Sequence, residues 1–306
     1  MTTAFIFPGQ GSQSVGMGRD LYESSAAARA IFEQADATLG VSVSQLCFDG
    51  PEPTLTATEN AQPALLTVSI ALLAALREAG VAAEPAFVAG HSLGEYSALV
   101  AAGALDFPTA LRLVRRRGEL MAAAHEGGMA AIIGMDEAPL EQVCREVSGE
   151  LGAPVVIANY NSPGQLVISG ATAAVERAGA LAKERGAKRA LPLKVSAGFH
   201  SPLLHGAAEG LALAIEQAAV ADARVPVMSN VTAAPIAAAE AIRAELVAQV
   251  TAPVRWIASV HHMVAAGVGT FVEIGAGAVL TGLIKRIEPG ARLVNVSDQA
   301  SVHAFH

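Results

Sequence analysis

Short apolar segments alternate with longer stretches of helix-forming residues along most of this chain, and this alternation limits the folds open to it. Buried strands are predicted at residues 4–7, 87–89 and 271–274, each ended by a turn that contains glycine. Helices are predicted at residues 64–79, 93–102, 109–124 and 279–287. Strands and helices that alternate in this way are typical of a parallel sheet with helical crossovers. The chain is therefore assigned to the α/β class.

The order of the elements changes between residues 128 and 195. Strands are predicted there at residues 129–134, 154–160, 165–169 and 189–195, and helices at residues 138–147 and 172–186. The order β-α-β-β-α-β describes the ferredoxin-like unit. We therefore predict a small ferredoxin-like domain at residues 128–195, inserted into a larger α/β domain formed by residues 1–127 and 196–306.

Composition excludes some classes of protein. The 306 residues include 20 Lys and Arg against 28 Asp and Glu, which gives a formal net charge of −8. Nucleic-acid-binding proteins normally present a basic surface, so we expect no nucleic-acid partner. Hydrophobic residues make up 52% of the chain and charged residues 16%, enough apolar surface for a large core. Cys47 and Cys144 are too few for a disulfide framework or a cysteine-rich metal site.

Two uncharged runs, residues 60–76 and 151–175, raise the question of a membrane span. A lipid-spanning helix needs about 20 predominantly apolar residues. The first run includes Asn60, Gln62 and Pro63, and polar residues interrupt the second run between residues 159 and 165. The first eight residues have no basic segment of the kind that opens a signal peptide. We therefore expect a cytoplasmic protein that does not associate with membranes.

A candidate nucleophile lies between a predicted strand and a predicted helix. Gly90-His91-Ser92-Leu93-Gly94 matches the pattern G-x-S-x-G, which in this setting exposes the serine on a sharp turn at the end of the strand. The free N–H groups at the start of the helix can stabilise a negative oxygen, so the backbone N–H of Leu93 is a candidate oxyanion donor. The alternative is a chance match in a chain that has 29 glycines.

A nucleophilic serine needs a base, and His200 has the best setting among the eight histidines. It follows the predicted strand 189–195 and a bend of small residues at 196–198; the alternative is a purely structural histidine. α/β-Hydrolases use the order Ser, Asp or Glu, His, but residues 190–199 contain no carboxylate. We therefore expect a Ser-His dyad whose histidine is oriented by another group, such as a backbone carbonyl.

Arg117 differs from the arginines beside it. At about 100° per residue, it falls among the apolar residues of the predicted helix 109–124, whereas Arg112, Arg115 and Arg116 fall on the opposite side. A guanidinium keeps its charge when it is buried and must be paired. Two partners are open: a core carboxylate such as Glu95, or a substrate carboxylate held by two parallel hydrogen bonds.

Several motifs stand in an order and spacing that are specific in combination. They are Pro8-Gly9-Gln10-Gly11-Ser12-Gln13, Gly90-His91-Ser92-Leu93-Gly94-Glu95, Arg117-Gly118 and Gly198-Phe199-His200-Ser201-Pro202. Together they resemble the malonyl-CoA:acyl carrier protein transacylases, which are related to polyketide synthase acyltransferase domains. The resemblance covers nearly the whole chain, including residues 158–165, 249–256 and 273–277. It implies an α/β-hydrolase-like large domain with a parallel sheet and a ferredoxin-like insert, in agreement with the predicted elements.

The resemblance also implies an activity. Malonyl would pass from malonyl-CoA to the phosphopantetheine thiol of acyl carrier protein in a ping-pong reaction, with no metal and no tightly bound cofactor. Ser92 would attack the thioester, with His200 as its base. The backbone N–H groups of Gln10 and Leu93 would bind the oxyanion, and Arg117 would hold the free carboxylate of the malonyl group.

The remaining site residues come from the resemblance alone. The backbone carbonyl of Gln249 would orient His200, and Gln62, Met121 and Asn161 would line the pocket. Phe199 precedes the histidine; in related polyketide acyltransferases a bulky phenylalanine there is associated with the use of malonyl rather than methylmalonyl.

Other functions remain open at this point. The product would supply fatty acid synthesis, or the chain would be a stand-alone acyltransferase of a polyketide pathway. A serine thioesterase or hydrolase is a further alternative. A non-catalytic module that binds the carrier is another, and the intact Ser92 and His200 argue against it.

Docking of an acidic carrier on this acidic chain would need a local basic patch. Two clusters are candidates, although each is equally well explained as a solvated helix end: Lys183, Arg185, Lys188 and Arg189, or Lys285 and Arg286.

Overall fold

The computed structural model describes residues 2–81, 84–195 and 197–305. Within them lie ten strands: β1 (Thr2–Phe7), β2 (Phe87–Gly90), β3 (Gly128–Ile133), β4 (Val155–Ser162), β5 (Gln165–Gly170), β6 (Arg189–Pro192), β7 (Val227–Met228), β8 (Pro235–Ile236), β9 (Val268–Ile274) and β10 (Arg292–Val296).

The helices of the described residues surround these strands. They are α1 (Arg19–Ser24), α2 (Ala26–Leu39), α3 (Val43–Asp49), α4 (Glu52–Thr56), α5 (Thr58–Glu78), α6 (Gly94–Ala101), α7 (Phe107–Ala122), α8 (Glu137–Leu151), α9 (Thr172–Glu184), α10 (His205–Gln217), α11 (Ala239–Ala248), α12 (Trp256–Ala265), α13 (Val279–Ile287) and α14 (Gln299–His303), with a 3₁₀ turn at Pro202–Leu204.

The larger sheet has six strands in the order β10-β9-β1-β2-β7-β8. All neighbouring strands pair in parallel except β7 and β8, which are antiparallel. Strand β1 is buried on both faces: Phe5 and Phe7 belong to one hydrophobic cluster, and Ala4 and Ile6 to the other. Such a strand reads as a continuous apolar run because helices cover both faces of the sheet. The predicted α/β class with a parallel sheet is confirmed.

The second sheet is antiparallel and has the strand order β4-β5-β3-β6. Helices α8 and α9 contact each other and this sheet, so the predicted β-α-β-β-α-β order is found between residues 128 and 192. Strand β6 ends at Pro192 rather than at residue 195, because Leu193 makes the last backbone bond of this edge, to Met129, before the chain leaves the sheet. Ser196, part of the predicted bend, lies outside the described residues.

Helix α5 begins six residues earlier than predicted, at Thr58, and contains Pro63. Proline removes a helical N–H and is unusual inside a helix. That loss leaves the carbonyl of Glu59 without its usual donor four residues on, and Arg115 Nη1 donates to this oxygen at 3.2 Å. The prediction was wrong because the compensating donor comes from another helix.

By length and composition alone, helix α5 could cross a membrane. However, 83% of its most apolar 18-residue stretch is buried inside the protein. It contacts α2 and α7 along its length. Its polar side chains Gln62, Thr67 and Ser69 are buried as well. The helix is therefore a core helix of this fold.

Candidate active site

The turn after β2 holds Ser92 in a conformation that few residues adopt. Ser92 has φ 51°, in the left-handed region, and α6 begins two residues later at Gly94. A Cβ atom at Gly90 would stand 1.9 Å from the carbonyl carbon of Gly94, and one at Gly94 would stand 2.1 Å from the carbonyl oxygen of Phe7. The two glycines are thus required for the strand, the turn and the helix to pack this closely.

The imidazole ring of His200 lies within hydrogen-bond distance of Ser92. Its Nε2 lies 2.7 Å from Ser92 Oγ, and its Nδ1 lies 2.9 Å from the carbonyl oxygen of Gln249 and 3.1 Å from that of Ala252. A carbonyl oxygen only accepts hydrogen bonds, so Nδ1 carries the proton and Nε2 presents its lone pair to the serine hydroxyl. This is the tautomer that a general base requires.

Burial sets the charge of this histidine. The pKa of His200 is lowered to about 3, first because the ring is buried and then because the positive charge of Arg117 lies nearby. A buried ring among apolar and cationic neighbours disfavours its charged form. His200 is therefore neutral near pH 7 and able to accept a proton.

Arg117 lies on the buried face of α7 and is 1% exposed. Its Nη1 donates to Gln62 Oε1 at 2.8 Å, and its Nη2 lies 3.0 Å from both Ser92 Oγ and Gln249 Oε1. The guanidinium carbon stands 5.8 Å from the ring centroid of Tyr96. All of these partners are neutral, so the guanidinium retains a charge that an anion can neutralise.

Of the two partners left open for Arg117, the core carboxylate is not found. No ion pair involves Arg117 within the described residues. Glu95 Oε2 instead accepts from Gln249 Nε2 at 2.8 Å, and the amide oxygen of the same Gln249 accepts from Arg117. The amide separates the two ionisable groups.

Two backbone N–H groups, of residues that line the same cavity as Ser92, are available to a ligand. Gln10 follows β1 and Leu93 follows Ser92 after β2, and these strands are parallel neighbours, so both loops leave the same edge of the sheet. Neither N–H donates to another group within the described residues. Helix α6 starts here and adds the positive end of its dipole.

These groups line a cavity of about 350 Å³. Of the residues predicted for the site, Gln10, Ser92, Leu93, Arg117, Met121, Phe199 and His200 line it. Gln62 and Gln249 are fully buried and contact Arg117. Asn161 is not part of the lining; its Oδ1 bonds Nε2 of His91 at 2.8 Å. Asn159, two residues earlier, lines the cavity instead.

One residue that the sequence did not indicate fixes the position of the nucleophile turn. Asn230 Oδ1 accepts from the N–H of Ser92, and its Nδ2 donates to the carbonyl of Gly90, both at 2.7 Å. Asn230 follows β7, which has only two residues. The available signal was a polar pair, Ser229 and Asn230, after the apolar run 225–228. That run is too short to be identified as a strand of the sheet.

Possible metal ligands are dispersed in the described part of the chain. It contains no group of three or more His, Cys, Asp or Glu side chains that could hold an ion. Cys47 and Cys144 are both buried, and burial raises the pKa of each thiol, for Cys144 to about 12. The groups that the site offers are a serine hydroxyl, a neutral histidine that can accept a proton and a buried guanidinium that can bind an anion.

Sequence comparisons show that the chain is similar to known acyl transferases. Residues 4–302 match the family described as acyl transferase domain. The chain is 51% identical over 302 residues to the malonyl CoA-acyl carrier protein transacylase of Bacillus subtilis, covering 98% of this chain and 94% of the relative. The enzyme of the same name from Escherichia coli K12 is 48% identical over 288 residues, 93% of this chain and 92% of the relative.

Solved structures of malonyltransferases have nearly the same fold as this chain. An acyl-carrier-protein-S-malonyltransferase from Bartonella henselae superposes with a TM-score of 0.96 at 45% identity, over 99% of this chain and 98% of the other. A malonyl-transacylase solved in complex with a type II PKS acyl-carrier protein has a TM-score of 0.95 at 45% identity, over the same shares of the two chains.

Proposed function

The chain belongs to the acyl transferase domain family, and we propose that it transfers a malonyl group from malonyl-CoA to the phosphopantetheine thiol of acyl carrier protein. The activity named for the relatives that it matches over nearly its full length supports the substrate and the acceptor. One observation in the site carries the proposal: Ser92 Oγ lies within hydrogen-bond distance of both His200 Nε2 and Arg117 Nη2. Nucleophile, base and carboxylate receptor thus share one cavity.

The first half-reaction loads the serine. His200 Nε2 takes the Oγ proton of Ser92 while Oγ attacks the thioester carbon of malonyl-CoA. The negative oxygen of the tetrahedral intermediate is bound by the backbone N–H groups of Gln10 and Leu93. The carbon–sulfur bond then breaks, His200 returns the proton to the sulfur, and free CoA leaves a malonyl ester on Ser92.

The second half-reaction removes the malonyl group from Ser92. The phosphopantetheine thiol gives its proton to His200, and its sulfur attacks the ester carbon of malonyl-Ser92. The carbon–oxygen bond breaks and the proton returns to Ser92 Oγ, which restores the free enzyme. The carbonyl oxygens of Gln249 and Ala252 stabilise the histidine in each step where it is charged, in the place that an acid holds in ordinary triads.

Selectivity is proposed to come from Arg117. The free carboxylate of malonyl accepts hydrogen bonds from the guanidinium, whereas a bound acetyl group leaves it unpaired in a buried site. Gln62 and Gln249 hold the guanidinium in place, and Met121 and Phe199 limit the space beside it. Asn161 stays a predicted site residue that would act through His91.

The biological setting is part of the proposal. We propose that the product supplies fatty acid synthesis in the cytoplasm; the relative bound to a type II PKS carrier favours a polyketide line as the second candidate. We further propose that residues 128–195 form a small domain and residues 1–127 and 196–306 the catalytic one. The cavity supports this division, because Met129, Leu193 and Val195 line it beside residues of the large sheet's loops.

The test uses a catalytic amount of the protein with malonyl-CoA and holo acyl carrier protein. The mass of the carrier should rise by one malonyl group, and CoA should appear in equal amount. A serine thioesterase or hydrolase would instead release free malonate and leave the carrier unmodified. A carrier without phosphopantetheine is the control and should stay unmodified.

A further inference from the structure

Two buried carboxyl groups accept hydrogen bonds from the same short segment, residues 229–231. Glu95 comes from α6 and is 0% exposed, and Glu245 comes from α11 and is 6% exposed. Within the described residues neither forms an ion pair. Two ionised carboxylates without a cation partner would be strongly unfavourable at this depth.

The hydrogen bonds of the four carboxyl oxygens distinguish the two groups. Glu245 Oε2 accepts from Ser229 Oγ at 2.6 Å, and its Oε1 accepts from the N–H of Val231 at 3.0 Å. Glu95 Oε2 accepts from Gln249 Nε2 at 2.8 Å and from the N–H of Asn230 at 3.3 Å. Glu95 Oε1, however, is buried and receives no donor.

A proton on Glu95 Oε1 resolves this mismatch. A buried acceptor without a donor is costly, whereas a hydroxyl at this position can donate. The carboxylate of Glu245 is the neighbouring acceptor, since Glu95 and Glu245 accept from the consecutive N–H groups of Asn230 and Val231. Glu273 is a useful contrast, because it is fully buried and each of its oxygens accepts a backbone N–H, from Leu280 at 3.0 Å and from Thr281 at 2.7 Å. Of the three buried carboxyl groups in the described residues, those of Glu95, Glu245 and Glu273, only that of Glu95 has an oxygen without a donor.

We propose that Glu95 is a neutral carboxylic acid that shares its proton with Glu245, and that this acid pair positions Gln249 so that Arg117 keeps an uncompensated charge for the substrate carboxylate. The second part of this proposal rests on the proposed function, because it assigns the ligand of Arg117. Glu95 is a positioning residue in this account, since it acts through the Gln249 amide.

The contacts of Gln249 explain how the pair acts. Its Nε2 donates to Glu95 Oε2 at 2.8 Å and to the carbonyl of Ser92 at 3.1 Å, which leaves its Oε1 to accept from Arg117 Nη2. If Glu95 were ionised, its negative charge would lie behind this amide and would compete with a substrate carboxylate for the guanidinium. Burial and the nearby charge of Glu245 raise the pKa of Glu95 well above its ordinary value, in agreement with a neutral group. Tyr96 and Arg117 are the other ionisable side chains that act on this site.

The experiment compares Glu95→Leu with Glu95→Gln. Leucine cannot accept from Gln249 Nε2, so the amide is free to turn and the ratio of malonyl to acetyl loading should fall about tenfold, mainly through the KM for malonyl-CoA. Glutamine is neutral like a carboxylic acid: its oxygen can accept from Gln249 and its NH₂ can donate to Glu245. Glu95→Gln should therefore restore the loading ratio to within about twofold of the wild-type value.

A spectroscopic measurement tests the proton directly and needs no substrate. The infrared difference spectrum between the wild-type protein and Glu95→Gln should contain the carbonyl band of a protonated carboxylic acid at neutral pH. The exposed Glu209 is the matched control, and Glu209→Gln should remove only carboxylate bands. If the Glu95→Gln difference shows only carboxylate bands, or if folded Glu95→Gln loses selectivity as severely as Glu95→Leu, the proposal is overturned. If the wild-type protein loads no malonyl, the proposed function fails while the infrared result still decides the state of Glu95.

Discussion

Arg117 places its Nη2 atom 3.0 Å from Ser92 Oγ, so a buried positive charge directly contacts the proposed nucleophile. An acyl group on Oγ displaces this contact and must offer the guanidinium another acceptor. A malonyl group offers its free carboxylate, and an acetyl group offers nothing. The choice of acyl group is therefore expected to be made at the serine itself.

Arg117→Ala should lower the preference for malonyl over acetyl. Hydrogen bonds to charged groups are worth about 1.5–3 kcal/mol, so the ratio of kcat/KM for malonyl-CoA to that for acetyl-CoA should fall about 10- to 100-fold. The adjacent, exposed Arg116 is the matched control, and Arg116→Ala should leave the ratio unchanged. An unchanged ratio in Arg117→Ala would show that this arginine is only structural.

The pH profile should show a histidine base that stays neutral in mild acid. The pKa of His200 is lowered from 6.5 to about 3 by burial and by Arg117, so the base form persists at every pH above the lowered value. We expect kcat/KM for malonyl-CoA to stay level from neutral pH down to about pH 5. In Arg117→Ala the nearby cation is absent, so the acid limb should move to higher pH. An acid limb with its midpoint at 6.5 in the wild-type protein would contradict this account.

Because the pKa of His200 is lowered, the free energy of unfolding should also depend on pH. Because the folded protein binds the His200 proton more weakly than the unfolded chain, this group contributes stability above pH 6.5 that is lost as the pH falls toward the folded value. In His200→Gln the free energy of unfolding should depend less on pH below 6.5 than in the wild-type protein. Denaturant titrations at a series of pH values measure this difference, and equal slopes would contradict the prediction.

Asn230→Ala should disturb the turn at Ser92, although Asn230 does not line the cavity. The substitution leaves the N–H of Ser92 and the carbonyl of Gly90 without their partner, which should cost about 1–3 kcal/mol of unfolding free energy. We also expect kcat to fall more than KM rises, because the serine loses its fixed position. Asn295→Ala is the control, since Asn295 makes one hydrogen bond to the carbonyl of Gly277. Equal effects of the two substitutions would argue against this role for Asn230.

Reversing charge beside the small sheet should weaken carrier docking. Lys183, Lys188 and Arg189 are exposed, and β6 leads directly into Leu193, Lys194 and Val195, which line the cavity. Replacing Lys183 and Arg189 by Glu should raise the KM for acyl carrier protein several-fold while leaving the loading of Ser92 by malonyl-CoA unchanged. Reversing Lys285 and Arg286 on α13 is the comparison. If only that pair affects the carrier KM, the docking patch lies on α13.

The sequence predicted the parts of the site that depend on local patterns. The turn at Ser92 was predictable because an apolar strand, two required glycines and a helix follow one another without interruption. The buried face of α7 was predictable from helical periodicity, and it placed Arg117 inside the protein. The missing acid before His200 indicated a histidine oriented by another group, and its Nδ1 lies within hydrogen-bond distance of the carbonyl oxygens of Gln249 and Ala252.

The remaining features depend on contacts between distant segments. Two partners of Arg117 are the side-chain amides of Gln62, on α5, and of Gln249, the residue after α11. No local pattern links these positions to α7. Asn230 follows a strand too short to recognise, and the start of α5 depends on a hydrogen bond from Arg115 to Glu59. The protonated state assigned to Glu95 required a count of donors around four oxygens, which only the folded structure supplies.

The central claim is that Ser92 carries the malonyl group from the thiol of CoA to the phosphopantetheine thiol of acyl carrier protein. Intact-protein mass spectrometry after incubation with malonyl-CoA tests it most directly. The wild-type protein should gain the mass of one malonyl group and lose it when holo acyl carrier protein is added, and Ser92→Ala should gain none. A malonyl adduct that forms on Ser92→Ala, or a wild-type adduct that never passes to the carrier, would contradict the account.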